Sequence, residues 1–346
     1  MNDARLGPRA QVWTLIALVV VLAVSLSIMA PNTFPTILNM QSMMGQIAPL
    51  GILAICIGIT FLIGGIDLSV VAVANTAAIT AALVGEALLP SMGSTLATVL
   101  AGIAALIVGA AAGAINGFLI ATLRVHPIPI TLGTMSVYLG ISTGLTKGAT
   151  VYGSGNAGVI ATTTVALMPM SFVIFLLLLA GFTLVTLKTR FGFHMYAIGE
   201  SNKVARFARI PVDRTILVVY ASSGVLASIA GLLMFASTNA ANVSFASSYL
   251  MQAILIAVIA GMDPYGGAGR LWMIAIGAIA MQELQTGINM VLGSWSGSAF
   301  ASNFVWGVLL IAVLGFSTWL SHRKRDAREE EAEKALDADT SAPAPA

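Results

Sequence analysis

The chain has 346 residues, 58% of them hydrophobic and 9% charged, with a formal net charge of +2. A soluble domain carries about 25% charged residues, so this composition excludes one and calls for an integral membrane protein. The near-neutral balance says nothing about nucleic acid, which is not an expected partner; the single cysteine, Cys56, allows no internal disulfide, and three scattered histidines give no metal cluster.

A span takes roughly 20 apolar residues, so the expected fold is an all-α polytopic membrane helix bundle of about ten transmembrane helices with interrupted segments. Arg5 and Arg9 precede an apolar run over 12–30. It reads as an uncleaved first span, because Ile28 and Met29 are poor residues for a small-residue cleavage site. Residues 31–43 read as an outer loop. The second span, 44–64, ends at GGIDLS, 64–69, and a third runs to Leu89. A Gly/Ala-rich fourth span covers 95–123. No Lys or Arg occurs from Gln11 to Leu123, so Arg124 marks the inner side. After Pro127 and Pro129 comes a fifth span, 130–146, then a Gly/Thr-rich outer loop, 147–164, and a sixth span, 165–187.

From Lys188 to Arg214 the chain has six Lys or Arg and two acids, Glu200 and Asp213. Positive charge places this island in the cytoplasm. Its second half reads as a short helix with Val204, Phe207 and Ala208 on one face and Lys203, Arg206 and Arg209 on the other. Ile210-Pro211 ends it, since the residue before proline is disfavoured in helical geometry. Such a helix is a docking element or a loop on lipid headgroups.

The seventh span, 216–236, leads to an uncharged polar outer loop, 237–248. A short eighth span, 249–261, breaks at GMDPYGGAGR, 261–270. Spans nine and ten cover 271–292 and 304–320. A basic cluster, His322 to Arg328, then holds the C-terminus inside, and 321–346 reads as a disordered cytoplasmic tail. Only Lys147 falls on the outer side, so both termini are expected in the cytoplasm.

Asp67, after Gly64 and Gly65, is the sharpest intramembrane feature. A carboxylate there is a functional-site hypothesis; the alternative is a cap on the third span. Asn116 reads as an interhelical hydrogen bond or a substrate contact. Gln282, Gln285 and Asn289 share one face of span nine by three- and four-residue spacing, which suits a path for a hydroxyl-rich solute or simple helix-to-helix bonding. Asn239 and Asn242 read as ordinary loop residues or contacts for an external partner. Spans two and eight echo each other, each ending in Gly, then Ile or Met, then Asp; interrupted segments in matching halves point to a translocation path. The chain has no Gly-x-x-x-x-Gly-Lys-Ser/Thr and therefore no phosphate-binding loop of its own.

GGIDLSV, TLGTM at 131–135 within 116–140, the glycines of 261–270, and YAIGESNKVARFARI at 196–210 together resemble the permease subunits of ribose-type sugar ABC importers. The resemblance covers most of 45–320. Leu139 stands where a basic residue is common, His126 where a small residue or proline is common, and Asp263 and Pro264 depart from the usual pattern.

The resemblance implies a transmembrane permease domain over 1–320 with a coupling loop at 188–214. It makes Gly64, Gly65, Asp67, Asn116 and Thr131 residues beside the pathway, to which the polar face of Gln282, Gln285 and Asn289 is added from its spacing. Tyr196, Gly199, Glu200, Lys203, Val204, Arg206 and Phe207 become the contact with a separate ATPase subunit. It further implies a second permease copy, an external sugar-binding protein that sets specificity, and a bacterial inner-membrane location. No cofactor is expected on this chain, ATP being used by the partner. The rival reading is an ion-gradient-driven secondary transporter using Asp67, Glu86, Asp263 or Glu283 as relays.

Overall fold

The computed structural model describes residues 8–153, 158–159, 163–292, 304–312 and 315. The expected C-terminal tail, 321–346, and Arg5 lie outside them. Among the described residues six helices are long and apolar enough to cross a membrane. The chain is thus a polytopic helical membrane protein; a count of ten crossings goes beyond what helix length and hydropathy establish.

Helix α1 (Pro8–Met29) is followed by α2 (Ile37–Leu62), α3 (Val70–Leu123), α4 (Pro127–Thr146), α5 (Met170–Lys188), α6 (Arg190–Glu200), α7 (Asn202–Phe207), α8 (Val212–Thr238), α9 (Tyr249–Ile259) and α10 (Met273–Leu292). Helix α3 is two helices joined at Gly93, whose φ of 73° and ψ of 167° break it just after Pro90. The expected third and fourth spans meet there.

The core is built around α2, buried continuously from Ile47 to Leu62. A helix apolar all round is at home in lipid or among helices; α2 is enclosed by α5, α8, α9 and α10. Gly51 lets Phe175 of α5 lie against it, and Gly58 admits Leu271 and Ile274. The second half of α3 packs on α8 through Gly109, Gly113 and Gly117, one residue every four. A Cβ at Gly113 would collide with the Tyr220 carbonyl oxygen, and one at Gly224 with that of Gly109. Small residues at this spacing bring helix backbones together where apolar lipid supplies no hydrophobic drive.

Four expectations need correction. Residues 37–43 are helical rather than loop, because Thr36 caps α2 by accepting from the Asn39 N–H at 3.2 Å. Pro127 and Pro129 lie inside the first turn of α4, where proline's missing N–H costs nothing. The basic island holds two helices, α6 and α7, because Ser201 ends one and caps the next, accepting from Val204 N–H. Helix α9, at 11 residues, rises about 16 Å and is too short to cross a core about 30 Å thick.

The segment before α9 is no simple outer loop either. Strand β1 (Val151–Tyr152) pairs antiparallel with β4 (Ala240–Ala241), after which the chain folds inward and buries Ala246. Between them in sequence, β2 (Thr164–Val165) and β3 (Met168–Pro169) form a hairpin through Ala166 and Leu167, both with positive φ. That is the turn whose twist matches paired strands.

Candidate functional site

Two constructions meet at the C-terminal end of α2. The first is a buried polar knot around Asp67, which is 2% exposed. Its Oδ1 accepts from the Ser69 N–H at 3.0 Å and the Ser69 hydroxyl at 2.6 Å, and its Oδ2 from the Ser223 hydroxyl of α8 at 3.1 Å. Ser69 Oγ in turn accepts from Asn116 Nδ2 at 2.7 Å. The Tyr138 hydroxyl reaches the Ala112 carbonyl at 2.9 Å. Thr131 Oγ1 donates to the Ile66 carbonyl at 3.2 Å. The carboxylate thus ties the 63–69 break to α8 directly and to α3 through Ser69, while α4 holds the break by the Thr131 bond to its backbone. Gly65 leaves room for the Tyr220 hydroxyl, which is buried and has no hydrogen-bond partner among the described residues.

Asp67 does not itself cap the third span: the N-cap is Ser69, and the carboxylate holds that residue in place. It organises the start of α3 by bonding Ser69, and it also reaches across to α8. Asn116 bonds the break through Ser69, and its Oδ1 lies 3.3 Å from the Tyr138 hydroxyl of α4, an interhelical contact. Ser223, Ser69 and Tyr138 were missed by sequence reasoning. The adjacent hydroxyls Ser222-Ser223, in a largely apolar span, were the available signal.

The second construction is a backbone junction of three segments. Gly199, near the end of α6, packs so closely that a Cβ would strike the Leu62 carbonyl oxygen and the Gly267 nitrogen. Those two atoms are themselves hydrogen-bonded at 3.2 Å. A Cβ at Gly266 would stand 2.7 Å from the Gly199 carbonyl oxygen, and one at Gly64 3.1 Å from that of Tyr265. Gly64 and Gly266 have φ of 75° and 102°, accessible to glycine at no steric cost. The breaks after α2 and α9, whose sequences echo each other, thus lie side by side against the basic island. Tyr196 adds a bond from its hydroxyl to the Gly269 carbonyl at 2.8 Å. Burial pushes its phenol up from the ordinary value, with Arg270 pulling the other way, so the proton needed for that bond is held at neutral pH.

From this junction α7 projects. Ala205 is buried, whereas Phe207 is 88% and Val204 64% exposed. Lys203 and Glu200 are exposed as well. Arg206 forks onto Asp213, with Nη1 to Oδ2 at 3.3 Å and Nη2 on Oδ1. The guanidinium expected in a free basic stripe is thus engaged within the chain.

Gln282, Gln285 and Asn289 do not share one surface. Gln282 is buried and donates to Gln46 of α2 at 3.1 Å, whereas Gln285 bonds Asn289 at 3.2 Å toward the exposed side. Gln46 lies 16 residues before Leu62, about 24 Å along the helix. The Gln282 pair is therefore at the opposite end of α2 from Asp67.

A family model described as branched-chain amino acid transport system / permease component matches residues 39–314. The autoinducer 2 import system permease protein LsrD of Yersinia pseudotuberculosis serotype O:3 (strain YPIII) is 33% identical over 283 residues, 79% of this chain and 81% of that protein. Its counterpart in Yersinia pestis (strain Pestoides F) is 32% identical over the same shares. No solved structure is a significant match. The permease resemblance carried by GGIDLSV and YAIGESNKVARFARI is borne out, and the chain belongs to the branched-chain amino acid transport system / permease component family.

Proposed function

We propose that the chain is the membrane-spanning permease subunit of an ATP-driven ABC importer in the bacterial inner membrane. It passes a monosaccharide or similar small polyol delivered by an external binding protein, works beside a second permease copy and binds no cofactor, ATP being hydrolysed by a partner subunit. The relatives' names add autoinducer 2 to the solutes worth screening. The observation that carries the reading is α7: a bare phenylalanine and a valine on a short helix, seated on the junction where both interrupted segments meet. Large apolar groups left facing outward on a polar island fit a protein partner better than water.

The test compares Phe207→Ala with Lys203→Glu for ATPase co-purification and solute-stimulated hydrolysis. Burying a side chain such as Phe207 is worth roughly 1.5–3 kcal/mol, so Phe207→Ala weakens docking by about tenfold or more. Lys203→Glu costs less, because salt screens an exposed charge. Unchanged association with Phe207→Ala overturns the docking role, and a larger loss with Lys203→Glu replaces the apolar contact by an electrostatic one.

The same reading places both termini and 188–214 in the cytoplasm. A cysteine at position 154 labels from outside and one at 202 does not; the reverse overturns the topology.

One observation favours the ion-gradient alternative: Glu283 is buried and its Oε2 has no hydrogen-bond partner among the described residues. Uptake by the chain alone in sealed vesicles under a proton or sodium gradient would establish that alternative.

A further inference from the structure

Residues 239–248 depart furthest from their sequence reading, and Asn75 holds them in place. Asn75 is 3% exposed. Its Nδ2 donates to the Val243 carbonyl at 2.6 Å and its Oδ1 accepts from the Ala246 N–H at 3.1 Å. One carboxamide thus satisfies the Val243 carbonyl and the Ala246 N–H, while turn bonds within the segment hold Ser244, Phe245 and Ser247. The carboxamide itself is fixed, because α8 packs Gly231 directly on the Ala74 carbonyl with no room for a Cβ.

The start of the segment is held elsewhere. Gly153 N–H donates to the Asn239 carbonyl at 2.9 Å, and Asn242 Nδ2 donates to Thr150 Oγ1 at 2.9 Å. Behind the segment a small pocket is lined by Asn75, Ala78, Met234, Phe235, Asn242 and Phe245. The walls are apolar and aromatic, and the two amides are spent on the segment and its anchor.

We infer that residues 242–246 are a gate over this pocket and that Asn75 is the latch that keeps it shut. The inference rests on the permease reading, since a gate has meaning only where a solute passes. Opening breaks both bonds and leaves a buried donor and acceptor unpaired, which is costly. A hydroxyl-bearing solute relieves that cost, because a hydroxyl donates and accepts at once. Asn75 is a positioning residue in the closed state and a solute contact in the open one.

The test uses Ala246→Cys in the full chain, with native Cys56 as internal control, both side chains being fully buried. Membrane fragments open to both faces are treated with a maleimide, and the two sites are resolved by mass spectrometry. With Asn75 intact, position 246 reacts slowly. Asn75→Leu, similar in size but without donor or acceptor, speeds labelling there by about tenfold or more while Cys56 stays unreactive. Asn75→Asp, which sets an oxygen against the Val243 carbonyl in place of the donor, also speeds labelling at 246 and not at Cys56; an unchanged rate there overturns the latch. Fast labelling with Asn75 intact, no change with Asn75→Leu, or a parallel rise at Cys56 overturns the latch. None of these readouts involves an ATPase partner, so failure of the latch and failure of the importer reading are separable.

Discussion

On the importer reading, Gly199→Ala lowers uptake by about tenfold or more while the ATPase partner still co-purifies and hydrolyses ATP. The added methyl has nowhere to go. Its two nearest neighbours are backbone atoms, the Leu62 carbonyl oxygen and the Gly267 nitrogen, and these already bond each other. A flexible side chain would yield; packed backbone does so only by moving its segment. The methyl therefore drives apart the end of α6, the break after α2 and the 261–270 loop. Val204 and Phe207 lie on α7, beyond the Ser201 cap, so the surface offered to a partner is unchanged. The expected ratio of solute moved to ATP hydrolysed falls by about tenfold or more, the equivalent of 1.4 kcal/mol or greater. Joint loss of uptake and of ATPase association would mean that the variant misfolds, which Tyr196→Phe checks independently. That change removes only the hydroxyl bond to the Gly269 carbonyl and lowers the same ratio by a smaller factor with folding intact. Uptake within about twofold of the parent in Gly199→Ala would show that the junction carries no motion.

Asp67→Ala removes the acceptor for three donors at once: the Ser69 N–H, the Ser69 hydroxyl and the Ser223 hydroxyl. A buried donor left unsatisfied costs about 1–3 kcal/mol. The α3–α8 tie through Ser223 is lost, but the two helices still pack through Gly109, Gly113, Gly117 and Gly224, so the fold is retained. The variant therefore inserts and retains its ATPase partner, and uptake falls by about tenfold or more, in line with that cost. Asp67→Asn keeps one oxygen for Ser69 and replaces the other by an amide against Ser223, so it falls between alanine and the parent. Radiolabelled uptake normalised to membrane-inserted protein measures all three. Near-parental uptake in Asp67→Ala would leave Asp67 only its local role at the start of α3.

Composition and hydropathy alone settle the membrane class, because the cost of placing charge in lipid acts residue by residue and needs no tertiary partner. The same local reasoning locates the division between the third and fourth spans, the breaks at GGIDLS and GMDPYGGAGR, and a short helix in the island, but not its end: α7 stops at Phe207, before Ile210-Pro211, and Arg209 turns left-handed. The family, too, is legible in short motifs. What no local rule supplies is which break touches which. Gly64, Gly199 and Gly266 are far apart in the chain, and each alone reads as an ordinary flexible residue; only packing reveals that their missing side chains make one junction. Asp67 finds Ser223 156 residues away, a pairing without periodicity or spacing to betray it. Gln282, Gln285 and Asn289 share a helical period, yet the neighbouring α2 captures only the first. The 237–248 segment carries no charge, so its transfer preference is equally met by water or by an enclosed place with hydrogen-bond partners. Asn75 provides those partners, and the tertiary structure, not the segment's own residues, turns it inward.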